Sequence, residues 1–202
     1  MSLCVGLTGG IGCGKTTAAE MFAELGADIV DTDAISHQLT QANGDAIPAI
    51  KISLGSDYIT PEGALNRALV RKLIFSDPAK KQTLEQILHP LILNQAMSQL
   101  KQFDYTPYNL LVVPLLVEST QFQKLAQRIL VVDCSEETQI DRVVSRSNMN
   151  PSDVQSILAQ QSSRTERLKI ADDVIYNDDD LVSLSKQVEI LHKRYAENRE
   201  VV

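Results

Sequence analysis

Leu3 to Thr17 reads Leu-Cys-Val-Gly-Leu-Thr-Gly-Gly-Ile-Gly-Cys-Gly-Lys-Thr-Thr, and this stretch decides the fold. Leu3 to Leu7 is a short apolar run stopped by Thr8-Gly9-Gly10, which predicts a buried strand. Thr16 to Leu25 favours helix, and Gly26 ends it. Between them Gly9 to Thr16 fits G-x-x-x-x-G-K-[ST] in the context that motif requires, after a strand and opening a helix. The glycines at 9, 12 and 14 permit backbone conformations that a side chain forbids, so successive N–H groups can converge on phosphate oxygens at a helix N-terminus. The candidate phosphate-binding residues are therefore Gly10, Ile11, Gly12, Cys13, Gly14, Lys15, Thr16 and Thr17. Lys15 adds a cation for the β and γ phosphates, and Thr16 an oxygen for Mg²⁺.

The rest of the chain repeats the strand and helix signals. Ala27 to Val30, Tyr108 to Val113, Ile129 to Val132 and Val174 to Tyr176 are aliphatic runs of the kind that form parallel strands covered on both faces. Ala34 to Phe103 holds helix after helix and no convincing strand, with a stripe at Ile92, Ala96, Leu100 and Phe103. Glu136 to Lys169 is a second helical insertion. The last helix carries Leu181, Leu184, Val188, Leu191 and Tyr195 on a packing stripe. The pattern predicts an α/β three-layer fold: a five-stranded parallel sheet with helices on both faces. Its core is expected at 1–33, 106–135 and 171–202, with helical insertions at 34–105 and 136–170.

Composition narrows the function. At 202 residues the chain suits one α/β domain with an insertion, and 44% apolar with 22% charged residues suits a packed core. With 19 Lys plus Arg against 26 Asp plus Glu, the net charge is −7, so no nucleic-acid or anionic-lipid partner is expected and any anion must meet a local basic site. That site is Arg142 to Lys169, where Arg142, Arg146, Arg164, Arg167 and Lys169 face only Asp153 and Glu166. The longest apolar stretch, Leu110 to Val117, is far short of the roughly 18 to 20 residues that span a bilayer. No signal peptide is visible, so the expected compartment is the cytoplasm. Cys4, Cys13 and Cys134 lack metal-ligand spacing and read as reduced thiols. Only three histidines, His37, His89 and His192, argue against a histidine-rich metal centre.

No Asn-Lys-x-Asp or Asp-x-x-Gly string occurs, which points away from a GTPase and toward ATP as the nucleotide, in a small-molecule kinase or an ATPase. Asp31-Thr32-Asp33 stands at the carboxyl end of the second strand, where ligands bind in open α/β sheets and a carboxylate can reach an acceptor hydroxyl. Asp31 serves either as the cap of the next helix or as an indirect support for Mg²⁺. Arg142 and Arg146 lie four apart on one helical face, a geometry for gripping phosphates.

Leu7 to Thr17, Asp31-Thr32-Asp33-Ala34, Asn66-Arg67-Ala68-Leu69, Phe75-Ser76-Asp77-Pro78, Leu84-Glu85, His89-Pro90, Pro114-Leu115-Leu116-Val117-Glu118, Gln161 to Arg164, Ala171-Asp172 and Asn177 together resemble the dephospho-CoA kinase family over nearly the whole chain. Cys13 stands where that family usually has serine, and Asn66 where aspartate is common. The resemblance implies transfer of the ATP γ-phosphoryl group to the ribose 3′-hydroxyl of dephospho-CoA. It also implies that 34–105 is the substrate-binding domain and 136–170 a lid. Asp33 is then the general base, with Lys15 and Arg142 as its catalytic companions. ATP is held by the loop with Arg142, Arg146 and Asn177, the last at the adenine. The substrate-binding set is Thr8, Asp33, His89, Leu115, Leu116, Gln161 and Arg164. His89 either contacts substrate or starts a helix, Leu115 and Leu116 either wall the acceptor site or complete the core, and Glu118 either meets a lid arginine or faces solvent. A monomer or weak homo-oligomer is expected. Another metabolite kinase and an ATP-dependent switch are the competing readings.

Overall fold

The computed structural model describes residues 2–103, 105–147 and 149–197. Residues 1, 104, 148 and 198–202, which the expected domain ranges include, lie outside the described residues. In chain order the elements are β1 (Leu3–Thr8), α1 (Lys15–Glu24), β2 (Asp28–Asp31), α2 (Thr32–Leu39), α3 (Ile47–Leu54), α4 (Arg67–Ser76), α5 (Pro78–Gln102), β3 (Tyr108–Val112), α6 (Thr120–Gln123), β4 (Arg128–Asp133), α7 (Glu136–Ser147), α8 (Pro151–Leu158), α9 (Arg164–Lys169), β5 (Asp173–Tyr176) and α10 (Leu181–Glu197). The strands form one five-stranded sheet in the order β2-β3-β1-β4-β5.

The apolar runs are strands because both faces of the sheet are covered. β1 pairs in parallel with β3 (Leu3 opposite Tyr108, Leu7 opposite Val112) and with β4 (Val5 opposite Arg128, Thr8 opposite Val131). β4 pairs in parallel with β5, Leu130 opposite Asp173. Alternate residues supply the two faces. Val5, Leu7, Leu110, Val112, Leu130 and Val132 pack with Phe22 of α1 and Leu184, Val188 and Leu191 of α10. Leu111 and Val131, also fully buried, point the other way. Each such Val, Leu or Phe contributes about 1.5–3 kcal/mol relative to exposure. Phe22, Tyr108 and Tyr195 meet with centroids 5.5 to 6.3 Å apart. The stripe on α10 packs from Leu184 onward, whereas Leu181 is 64% exposed. That residue stands in the first turn, beyond the edge of the packed surface, which corrects its place in the core.

The chain separates into two compact units, Met1–Val30 with Leu100–Val202, and Asp31–Gln99. The second unit is helical, and its only strand-like pairing among the described residues is an isolated bridge between Ile59 and Leu65. Its longest helix, α5, starts at Asp77-Pro78: the Asp77 carboxylate accepts from the N–H groups of Ala79 and Lys80, and proline suits the first helical position. His89 and Pro90 therefore lie inside α5 rather than at a helix start, a correction. The true start signal is the capping aspartate, Asp77, twelve residues before His89.

Candidate active site

β1 ends at Thr8, and the phosphate loop delivers the chain into α1 at Lys15. Gly14 caps that helix with φ 94° and no side-chain cap bond, a conformation glycine adopts without cost. No acidic residue occupies the first turn. The first-turn amides thus stay available to an anion, and the helix dipole favours one there. Lys15 Nζ donates to the carbonyls of Gly9 (2.8 Å) and Gly10 (3.3 Å), folding back over the loop. Thr16 is exposed at the head of α1. Cys13 is 1% exposed, and burial raises its thiol pKa against the opposing charge of Lys15, so it supplies no thiolate.

The segment after α8 closes on this loop. Gln139 on α7, 2% exposed, donates from Nε2 to the Ile11 carbonyl at 2.7 Å, and the Ile11 N–H donates to Gln161 Oε1 at 3.1 Å. Two glutamines thereby hold both backbone groups of one loop residue. At Gly10 a Cβ would stand 2.1 Å from Gln139 Nε2 and 3.1 Å from Arg167 Nη2, so only glycine admits this approach. Glu118 is exposed, as one of its two expected fates has it, and it accepts from the N–H (2.9 Å) and hydroxyl (2.7 Å) of Ser162 rather than from an arginine. Ser163 and Glu166 form a capping box at the start of α9. Arg164 makes a forked pair with Asp133, Nε at 2.9 Å and Nη2 at 2.7 Å from Oδ2, and Asp133 is 2% exposed.

A cavity of about 770 Å³ opens beside the loop. Gly10, Gly12, Lys15 and Thr16 line it, with Arg142 and Arg146 on α7 and Asn177 after β5. Arg142 Nη1 donates to the Asn177 carbonyl at 2.8 Å, and Arg146 is exposed. Asn177 is 6% exposed, and its side-chain amide donates to the Cys13 carbonyl at 2.8 Å. The far wall is Asp179, Asp180, Leu181 and Val182, residues that sequence reasoning left out of the site. The signal was present: two apolar residues directly after an acidic turn and one residue out of step with the packing stripe.

The other expected residues are placed as follows. Thr8 is fully buried, its hydroxyl donating to the Pro114 carbonyl at 3.2 Å, so it presents no side-chain surface to a ligand. Leu116 is fully buried, whereas Leu115 is 50% exposed. In the helical unit, Asp31 caps α2 by accepting from the N–H groups of Asp33 and Ala34. Asp33 itself is exposed in the first turn, and His89 is exposed on α5. Asn66 caps α4, the same service an aspartate would give. Arg67 donates to the Thr40 hydroxyl at 2.7 Å. Among the described residues no group of three or more His, Cys, Asp or Glu side chains is arranged to hold a metal. The fit is to a hard cation held by the Thr16 hydroxyl and by phosphate oxygens, as Mg²⁺ is in nucleotide sites. No helix among the described residues is long and apolar enough to cross a membrane.

Comparison with known proteins agrees with this geometry. The dephospho-CoA kinase model matches residues 3–183. A dephospho-CoA kinase from Nitrosospira multiformis is 52% identical over 193 residues, 96% of each chain. TT1252 from Thermus thermophilus superposes with a TM-score of 0.82 at 27% identity, over 96% of this chain and 97% of that one. A shikimate kinase from Acinetobacter baumannii, 17% identical over 100% of this chain and 97% of its own, shares the fold with a TM-score of 0.55. A strand, a glycine-capped helix with open amides, a lysine and a roofing helical segment thus sit on a chain that belongs to the dephospho-CoA kinase family.

Proposed function

We propose that this protein transfers the γ-phosphoryl group of ATP to the ribose 3′-hydroxyl of dephospho-CoA, giving ADP and coenzyme A, the last step of coenzyme A biosynthesis. The observation that carries the reading is the head of α1, which no side chain caps and whose amides and Lys15 face the cavity, in a chain of this family. The acceptor oxygen bonds to the γ-phosphorus while the bond from that phosphorus to the β,γ-bridging oxygen breaks. The electron pair leaves with ADP, and the hydroxyl proton passes to the Asp33 carboxylate. Lys15 exchanges the Gly9 and Gly10 carbonyls for phosphate oxygens. Arg142 and Arg146 bind the phosphates from α7, and Asn177 serves the adenine. Thr16 and the phosphate oxygens would hold Mg²⁺, which would supply neutralisation of the charge that develops on the phosphates.

Residues 34–105 receive the acceptor and 136–170 act as a lid, with Gln161, Arg164, His89 and the exposed Leu115 as acceptor-side contacts. The reaction runs in the cytoplasm, on a monomer or weak homo-oligomer. The test is ADP release with Mg-ATP and dephospho-CoA, AMP, UMP or no acceptor, with the product mass confirmed. Phosphate added to dephospho-CoA alone supports the reading, and faster turnover of AMP or UMP overturns it. Asp33→Asn is expected to lower kcat by on the order of 10²–10⁴ with ATP binding kept.

A further inference from the structure

We propose that Arg167 is a further positioning residue of the phosphate site: a buried cation fixed beside the phosphate loop to meet the charge of a bound nucleoside triphosphate, acting across Gly10. The proposal rests on the reading of Gly9 to Thr16 as the ATP site and deepens it.

Arg167 is 7% exposed. Among the described residues no carboxylate lies within ion-pair distance of it, whereas its neighbour Arg164 has Asp133. Its Nε is buried with no hydrogen-bond partner, and Nη1 donates only to a neutral acceptor, the Ser162 carbonyl. Leaving the Nε donor of a guanidinium buried and unmatched costs stability.

The surroundings hold the charge where it is. Glu118, exposed between β3 and α6, holds Ser162 by two hydrogen bonds, and the Ser162 carbonyl in turn accepts from Arg167. The Ser163–Glu166 capping box fixes the start of the helix that carries it. Nη2 lies against Gly10, the second residue of the phosphate loop. The field enters the loop: Arg167 is among the charges that oppose the burial-driven rise of the Cys13 thiol, after Lys15. A largely buried cation that no carboxylate compensates and that adjoins the backbone of an anion cradle has a use there. That use is to be repaid when a polyanion arrives, without reorganisation at the moment of reaction.

This makes an unusual pair of expectations for one substitution. Replacing an uncompensated buried charge by an apolar side chain of similar volume is neutral or stabilising, so Arg167→Met is expected to leave the melting temperature of nucleotide-free protein unchanged or raised. The same variant is expected to weaken ATP binding about tenfold or more, by calorimetry without acceptor, and to shrink the ATP-induced rise in melting temperature. Arg167→Lys keeps charge while losing the fork, and is expected to recover most of the affinity. A lower melting temperature with unchanged ATP affinity makes the residue merely structural and overturns the proposal. So does an Arg167→Met chain that fails to fold, or one unchanged in both readouts. Because no acceptor is present, failure to phosphorylate dephospho-CoA leaves this titration unaffected, and the two readings fail separately.

Discussion

Two buried charges stand at opposite ends of the same sheet. Asp173, at the start of β5, is surrounded by donors: Arg128 Nε at 3.0 Å, Arg194 Nη1 at 2.7 Å and the Tyr195 hydroxyl at 2.8 Å. Arg167, near the loop that follows β1, has one neutral carbonyl. Both are 7% exposed, so depth does not separate them, but satisfaction does. Burial alone would raise the Asp173 carboxyl, yet the bonds from Arg128 and Tyr195 and the charges of Arg128 and Arg194 together hold it below the ordinary aspartate value. Where the protein needs only stability, it surrounds a buried charge. At the end of the strands where ligands enter, it leaves one open.

The contrast can be broken at either end. The largest effect is expected from Lys15→Ala, which removes the mobile cation of the ligand end: ATP affinity and turnover should fall together, by on the order of 10²–10³ in turnover, with little change in thermal stability. If the variant keeps wild-type turnover, the open end is not the phosphate site. At the other end, Asp173→Asn should cost roughly 2 kcal/mol, a moderate value because Arg128 and Arg194 remain 33% and 53% exposed. That corresponds to a melting temperature about 4–8 °C lower, with kcat/KM unchanged. A depressed carboxyl contributes stability above the unfolded aspartate pKa of about 3.9 and loses it as pH falls through its lower folded value. The variant's stability should therefore vary less with pH below about 4, and an identical acid profile would remove Asp173 from that role.

The smallest effect concerns the hinge between the two kinds of behaviour. Gln139→Leu and Gln161→Leu each free one backbone group of Ile11, and each should reduce kcat/KM for ATP by about tenfold. Gln161 accepts and Gln139 donates, so Gln161→Glu preserves its hydrogen bond with Ile11 whereas Gln139→Glu does not. Equal kinetics for the two glutamate variants would show that these bonds do not set the loop.

What the sequence displays of this site is what is local in the chain. The strand, the glycines and Lys15 are contiguous, and the rule linking them is backbone geometry, so Leu3 to Glu24 is readable residue by residue. The five aliphatic runs are equally readable, because burial on both faces leaves no alternation to misread. Gln161 to Arg167 is different: its partners Ile11, Glu118 and Asp133 are 150, 44 and 31 residues away. Basic character marked the segment as a whole, but not which arginine would find a carboxylate. The polar Gln139 gave no signal, since its value depends on Gly10 lacking a side chain. Leu181 was misread because a helical stripe says nothing about where the packed surface ends, and His89 because a proline marks a helix start only near a cap.

The aromatic content also determines how the molecule can be watched. There is no tryptophan, and emission must come from five tyrosines. Tyr195 donates its hydroxyl to the Asp173 carboxylate, a proton acceptor that quenches the excited phenol, so folded protein is dimmed at that position. Unfolding of the sheet then registers as brightening of a native side chain, with no label. Tyr195 itself sits against the start of β5, away from the phosphate loop, so its own change reports folding rather than nucleotide arrival. A tryptophan at Val182, 59% exposed on the cavity wall, would open a second colour for occupancy, and one cuvette would follow folding and binding independently.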